Sequence, residues 1–102
     1  SIADVDRSGW VVPPVFDLVR RLGSVPWEDL EGTLNLGVGM VAVVAPESAE
    51  AVLRVAQGSD MPAWVLGGVH EAQAYEPQGR VVAGTKGVDG GAVDVFGRYR
   101  TA

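Results

Sequence analysis

Thr33-Leu34-Asn35-Leu36-Gly37-Val38-Gly39-Met40-Val41-Ala42-Val43-Val44-Ala45-Pro46 is the segment around which the rest of the chain is organised. A turn carrying Asn35, Gly37 and Gly39 runs into an apolar segment without a single charge, and a proline then opens the next amphipathic segment. Val, Met and Ala fill that segment without polar alternation, so residues 38–44 read as a strand buried on both faces. The glycines permit an unusually close backbone approach, either by a neighbouring element or by an anionic ligand.

Downstream, Pro46-Glu47-Ser48 is a helix start, with proline and acid where the first turn favours them. The helix is expected over residues 47–57, with Ala49, Val52, Leu53 and Ala56 as its buried stripe and Gly58 at its end. Residues 63–69, Ala-Trp-Val-Leu-Gly-Gly-Val, read as a second apolar strand that stops at His70-Glu71. Together these predict a strand–helix–strand unit with parallel strands and a right-handed crossover.

Upstream, residues 1–12 read as extended, and Pro13-Pro14 opens a helix expected over residues 14–22. Val15, Phe16, Leu18, Val19 and Leu22 recur at helical spacing, and Gly23 is the expected stop behind Arg20 and Arg21. A second helical segment starts at Pro26, with Glu28, Asp29 and Glu31 crowding its first turns as a solvated, well-capped face. In the last third, residues 79–84 and 91–97 alternate polar and apolar residues. They read as a one-sided or edge hairpin turning at Asp89-Gly90.

The bulk numbers bound the function. A chain of 102 residues is one domain or a piece of one. Its net charge of −5 and eight scattered Lys and Arg residues argue against a nucleic-acid partner. There is no cysteine and only one histidine, so no thiolate metal site exists and no metal ligand set is predicted. The longest apolar run falls short of the ~20 residues a membrane span needs. The start at Ser1 has neither a basic region nor an apolar core, so no signal peptide is read there. The lack of an initiator Met suggests a trimmed or excised piece. A cytoplasmic location is the expectation that fits zero cysteines.

The order of these signals resembles the carboxy-terminal domain of the phosphoribosylformylglycinamidine cyclo-ligase (aminoimidazole ribonucleotide synthetase) family. The residues that carry the resemblance begin with Val5-Asp6-Arg7-Ser8-Gly9-Trp10 and Pro13-Pro14-Val15-Phe16, followed by Gly23-Ser24-Val25-Pro26. Leu34-Asn35-Leu36-Gly37-Val38-Gly39-Met40-Val41, Val43-Val44-Ala45-Pro46-Glu47 and Ala63-Trp64-Val65-Leu66-Gly67 complete it. It covers residues 5–69; the glycine-rich tail from Gln78 resembles nothing. Leu34 and Leu36 are apolar swaps for the family's Phe and Met, and Gly68 stands where the family usually has Glu.

The resemblance implies an α/β (α+β) fold, a ferredoxin-like mixed sheet with helices, of which residues 1–102 would be part. It implies a two-domain, homodimeric enzyme that closes formylglycinamidine ribonucleotide to aminoimidazole ribonucleotide with ATP and Mg2+. This chain alone is expected to hold no cofactor and to be inactive. With the first strands of the domain's sheet expected to lie outside the chain, the sheet is expected to be incomplete or to pair with a second copy. Selenophosphate synthetase, thiamine-phosphate kinase, a hydrogenase-maturation protein and a non-catalytic self-associating module are the alternatives.

Asn35, Gly37 and Gly39 are the candidate phosphate-binding residues, through backbone N–H groups and one side-chain amide. The plainer reading is a tight connection in which the glycines serve only backbone geometry. No catalytic residue is assigned. His70 is read as a surface histidine, Asp6 and Arg7 as a solvated pair, and Trp10, Trp27 and Trp64 as packing residues.

Overall fold

In the computed structural model, which describes residues 1–85 and 91–101, Ile2–Asp6 forms strand β1. Asp6 ends it by accepting from the Ser8 N–H at 2.9 Å and the Ser8 hydroxyl at 2.7 Å, which caps a 3-10 turn over Arg7–Gly9. Those two donors hold the Asp6 carboxyl below its ordinary range. Strand β2 (Val11–Val12) leads to helix α1 (Pro14–Gly23), which starts at the two prolines as expected. Asp17 in its first turn accepts from Arg20 at 2.7 Å and faces Arg21 at 3.3 Å, one turn on. The left-handed residue that ends α1 is Ser24 (φ 52°), not Gly23, with the Val25 N–H returning to the Arg20 carbonyl at 3.0 Å.

Helix α2 (Trp27–Glu31) carries Glu28 and Asp29 in its first turn and buries Leu30. The Arg20 guanidinium lies over the Trp27 ring, 4.9 Å from its centre. Helix α3 (Ala49–Gly58) follows a 3-10 turn over Pro46–Ser48, close to the expected start. It stops where Asp60 (φ 56°) turns the chain and Met61 N–H closes on the Ala56 carbonyl at 2.9 Å. Strands β3 (Val69–His70), β4 (Arg80–Ala83) and β5 (Ala92–Phe96) complete the elements used below.

The chain divides into two compact units, one built on Ser1–Trp10 and Val65–Arg100 and the other on Val11–Trp64. The first holds a four-stranded mixed sheet in the order β3-β1-β5-β4. β1 pairs antiparallel with β3 and parallel with β5, setting Asp4 beside Asp94 and Asp6 beside Phe96. β4 runs antiparallel to β5, with Arg80 opposite Val95. Trp10 is buried here and meets Tyr99 edge-on, ring centres 5.8 Å apart, which is packing rather than a stacking platform. The second unit holds the three helices.

This is a mixed α/β fold, as expected, but the strands are not where the apolar runs placed them. Residues 38–44 form no strand among the described residues, and Met40 is 92% exposed. A strand exists only through ladder bonds, and this segment meets no partner strand there. Of residues 63–69 only Val69 enters the sheet, in β3. The predicted strand–helix–strand unit is therefore absent. The α3 stripe is also not buried: Val52 is exposed, and Ala49, Leu53 and Ala56 are only partly covered. β4 and β5 do pair as a hairpin would, but β5 is central, taking β1 on its other side. The Asp89-Gly90 turn lies outside the described residues.

Candidate functional site

The Asn35 turn is built from local bonds. The Val38 N–H reaches the Asn35 carbonyl at 3.0 Å, with Leu36 (φ 54°) and Gly37 (φ 101°) both in the left-handed half of conformational space. Gly37 satisfies that geometry without strain, whereas Leu36 does not; its burial, 2% exposed, holds it there. The Asn35 Oδ1 accepts the Gly37 N–H at 3.0 Å, so the side-chain amide closes an Asx turn and presents its NH2 as the remaining donor. Gly39 differs. A Cβ built there would meet nothing within 4 Å among the described residues, so neither packing nor a positive φ calls for glycine. The three candidate residues thus share one exposed turn, with Gly37 structurally required and Gly39 not.

A second polar cluster, which residue spacing alone missed, lies on the sheet. Asp4 and Asp94 are register partners on parallel strands, an arrangement that is destabilising unless each carboxylate is separately satisfied. The strap running from Gly67 to Gly79 supplies the donors. Asp4 Oδ1 accepts the Gly68 N–H at 2.8 Å and lies 2.7 Å from His70 Nε2. Asp94, fully buried, accepts the Tyr75 hydroxyl at 2.5 Å, the Gln78 N–H at 2.7 Å and the Gly79 N–H at 3.0 Å. His70 stacks on Tyr75 with ring centres 4.9 Å apart, joining the two halves. His70 is therefore a partnered histidine at the sheet edge rather than a bystander.

The electrostatics follow from these bonds. The Gln78 N–H and the Tyr75 hydroxyl, with help from the Gly79 N–H and Arg7, hold the Asp94 carboxyl below its ordinary value against the opposing effect of burial. Donating to Asp94, with burial and that negative charge adding to the effect, raises the Tyr75 phenol above its usual value. A signal for this cluster was present in the sequence: Asp94 interrupts the apolar run Ala92-Val93-Asp94-Val95-Phe96, where an unpaired charge would be costly.

Two glycines let the strap lie against the sheet. A Cβ at Gly67 would sit 2.8 Å from the Asp4 carbonyl carbon and closer still to its oxygen. One at Gly68 would press on Asp4 Oδ1 and His70 Nε2, both at 3.3 Å. The departure at Gly68 thus has a local reason: a side chain there would crowd the Asp4–His70 pair. Among the described residues no group of three or more His, Cys, Asp and Glu could hold a metal ion, and no helix is long and apolar enough to cross a membrane.

The sheet, the Trp–Pro-Pro–Phe segment and the Asn-x-Gly-x-Gly turn define a class, and comparison with known sequences gives the same one. The chain belongs to the AIR synthase related protein family, whose C-terminal domain model matches residues 2–80. Among its relatives, a phosphoribosylformylglycinamidine cyclo-ligase of Symbiobacterium thermophilum is 51% identical over 83 residues, covering 80% of this chain and 23% of that protein. A putative phosphoribosylformylglycinamidine cyclo-ligase of Streptomyces fradiae is 52% identical over 65 residues, covering 64% of this chain and 36% of that protein. The enzyme of that name from Chromobacterium violaceum is 35% identical over 81 residues, covering 79% of this chain and 24% of that protein. The chain therefore spans between 23% and 36% of the length of these curated relatives. No solved structure matches it.

Proposed function

We propose that this chain is part of a phosphoribosylformylglycinamidine cyclo-ligase acting in purine biosynthesis. The observation that carries the reading is the 51% identity, across 80% of the chain, with a relative of that name. In the whole enzyme, ATP with Mg2+ would activate the amide oxygen of formylglycinamidine ribonucleotide. An internal nitrogen then displaces that oxygen as phosphate and closes the imidazole ring. Catalysis of such a step rests on positioning and charge stabilisation. The contribution we assign to this chain is a phosphate contact from the Asn35 turn: the amide NH2 of Asn35 as donor, with Gly39 leaving the backbone open to close approach. The openness around Gly39 supports this, since nothing among the described residues explains the glycine.

The test is a chimera in which this chain replaces the matching segment of the Symbiobacterium thermophilum enzyme. The chimera should retain cyclo-ligase activity, while the 102-residue chain alone should give no turnover with substrate, ATP and Mg2+. Within the chimera, Asn35→Asp keeps the acceptor for the Gly37 N–H but replaces the outward donor with an anion. It should lower kcat/KM by about tenfold to a hundredfold without lowering the melting temperature. Turnover by the isolated chain, or an inactive but folded chimera, would refute the assignment.

A second reading, for the chain by itself, is favoured by residues 40–44, where Met40, Val41, Val43 and Val44 are all exposed. The segment carries no charge, so two copies can bury these side chains against each other without like charges meeting, as exposed apolar patches tend to. Size-exclusion chromatography with light scattering should show a dimer, and Val43→Lys should return it to a monomer. A wild-type chain that stays monomeric at every concentration would rule this out.

A further inference from the structure

The chain's single histidine, His70, closes β3 with its ring held at one nitrogen and open at the other. Nε2 lies 2.7 Å from Asp4 Oδ1, and Tyr75 stacks on the ring with centres 4.9 Å apart. An ionised carboxylate only accepts, so Asp4 places the hydrogen of the neutral ring on Nε2. The lone pair then stands on Nδ1, which has no hydrogen-bond partner among the described residues. The His70 side chain is 44% exposed and that of Asp4 22%, so the imidazole is the more accessible of the pair. The pair does not rely on its own bond. The Gly68 N–H meets Asp4 Oδ1 at 2.8 Å and the Gly68 carbonyl accepts the Asp4 N–H at 2.9 Å, which ties the strap to β1 two residues before His70.

We propose that His70 is a nucleophile, with Asp4 as its positioning residue, that takes an acyl group from an uncharged activated ester. Nδ1 attacks the ester carbonyl carbon and forms a C–N bond. The C–O bond to the leaving group breaks, and that group departs with the electron pair as its oxyanion. The ring becomes an acyl-imidazolium whose Nε2–H stays donated to Asp4, so the positive charge forms beside a carboxylate. Water then attacks the acyl carbon, the C–N bond breaks, the released protons pass to solvent and the neutral ring returns. Charge selects the substrate class. Asp4 is in contact with the ring and the chain carries a net charge of −5, which repels phosphoryl donors and other anions and leaves a neutral ester as the fitting electrophile. This activity needs neither ATP nor the substrate of the cyclo-ligase reaction.

With p-nitrophenyl acetate at neutral pH, the chain should release p-nitrophenolate about tenfold or more faster than an equal concentration of a peptide of residues 66–74, whose histidine has no Asp4 held against it. His70→Gln, whose amide still donates to Asp4, should melt with the wild type and lose that excess. The Ser1 amine and Lys86, the other amines of the chain, remain in this variant and report any reaction of their own. Asp4→Asn keeps an acceptor for the Gly68 N–H and the ring but removes the charge, and should slow release about tenfold. Nitrogen NMR of the neutral ring should place its hydrogen on Nε2 in both the wild type and Asp4→Asn, which separates loss of charge from loss of the pair. A chain no faster than the peptide, an excess that survives His70→Gln, an unchanged rate in Asp4→Asn, or a wild-type ring with its hydrogen on Nδ1 would each overturn the proposal.

Discussion

Asp94→Ala is expected to lower the melting temperature by about 10 °C or more, because it strands a hydroxyl and two backbone N–H groups at once. Among the described residues Asp94 is the acceptor of the Gln78 and Gly79 N–H groups, so without it the strap must lift or the donors go unpaired. Asp94→Asn is expected to fall between wild type and alanine, since its amide turns a donor towards one of those N–H groups. Tyr75→Phe should cost least of the three, removing one donor and leaving the two backbone bonds.

The same bonds fix a pH profile. The folded state holds the Asp94 carboxyl below its ordinary value, so the unfolded chain takes up the proton first as pH falls. The contribution is complete above about pH 4 and is lost as pH falls through the lower folded value. The Tyr75 phenol is raised, so its contribution is complete below about pH 10 and is lost as pH climbs towards the folded value. Thermal melts across this range should show both limbs in the wild type, no alkaline limb from this residue in Tyr75→Phe, and a reduced acid limb in Asp94→Asn. Superimposable curves for wild type and Asp94→Asn would show that the buried carboxylate does not govern the sheet.

Gly67→Ala is the second large effect. The added methyl would fall within bonding range of the Asp4 carbonyl oxygen, which is backbone in the middle of β1 and has nowhere to go. Either β1 leaves the sheet or the strap leaves β1, taking with it the Asp4 N–H bond to the Gly68 carbonyl at 2.9 Å and the Asp4–His70 pair. The expected loss is about 4 kcal/mol or more, enough to unfold a small domain. Gly58→Ala is the matched control. Nothing among the described residues lies within 4 Å of a Cβ there and it closes α3, so alanine should be neutral or stabilise by up to ~1 kcal/mol. Circular dichroism melts of the two variants decide the matter. A Gly67→Ala protein that melts with the wild type would mean that the strap does not touch β1.

Much of the helical content was legible because its signals are local. Pro13-Pro14 and Pro46 mark helix starts by fixing φ and removing an N–H that the first turn does not use; α1 begins at Pro14, and the 3-10 turn that leads into α3 begins at Pro46. The Asn35 turn was equally readable, since an amide two residues before a glycine N–H closes its own ring. Residues 38–44 show the limit of such reading. Hydrophobicity says what a segment prefers to touch, but a strand requires a partner's ladder, and no property of the segment supplies one.

The family, the mixed α/β class, the helix starts and the Asn35 turn are all legible in the amino-acid order, because each depends on residues a few positions apart. That residues 2–6 and 92–96 lie side by side is visible only in the folded chain, and the polar cluster on the sheet follows from that pairing. It sets Asp4 against Asp94 and so requires the strap with His70 and Tyr75. A parallel pairing between strands some ninety residues apart leaves no periodic trace in either. Its register is fixed by side chains and backbone donors that meet only once the chain has closed.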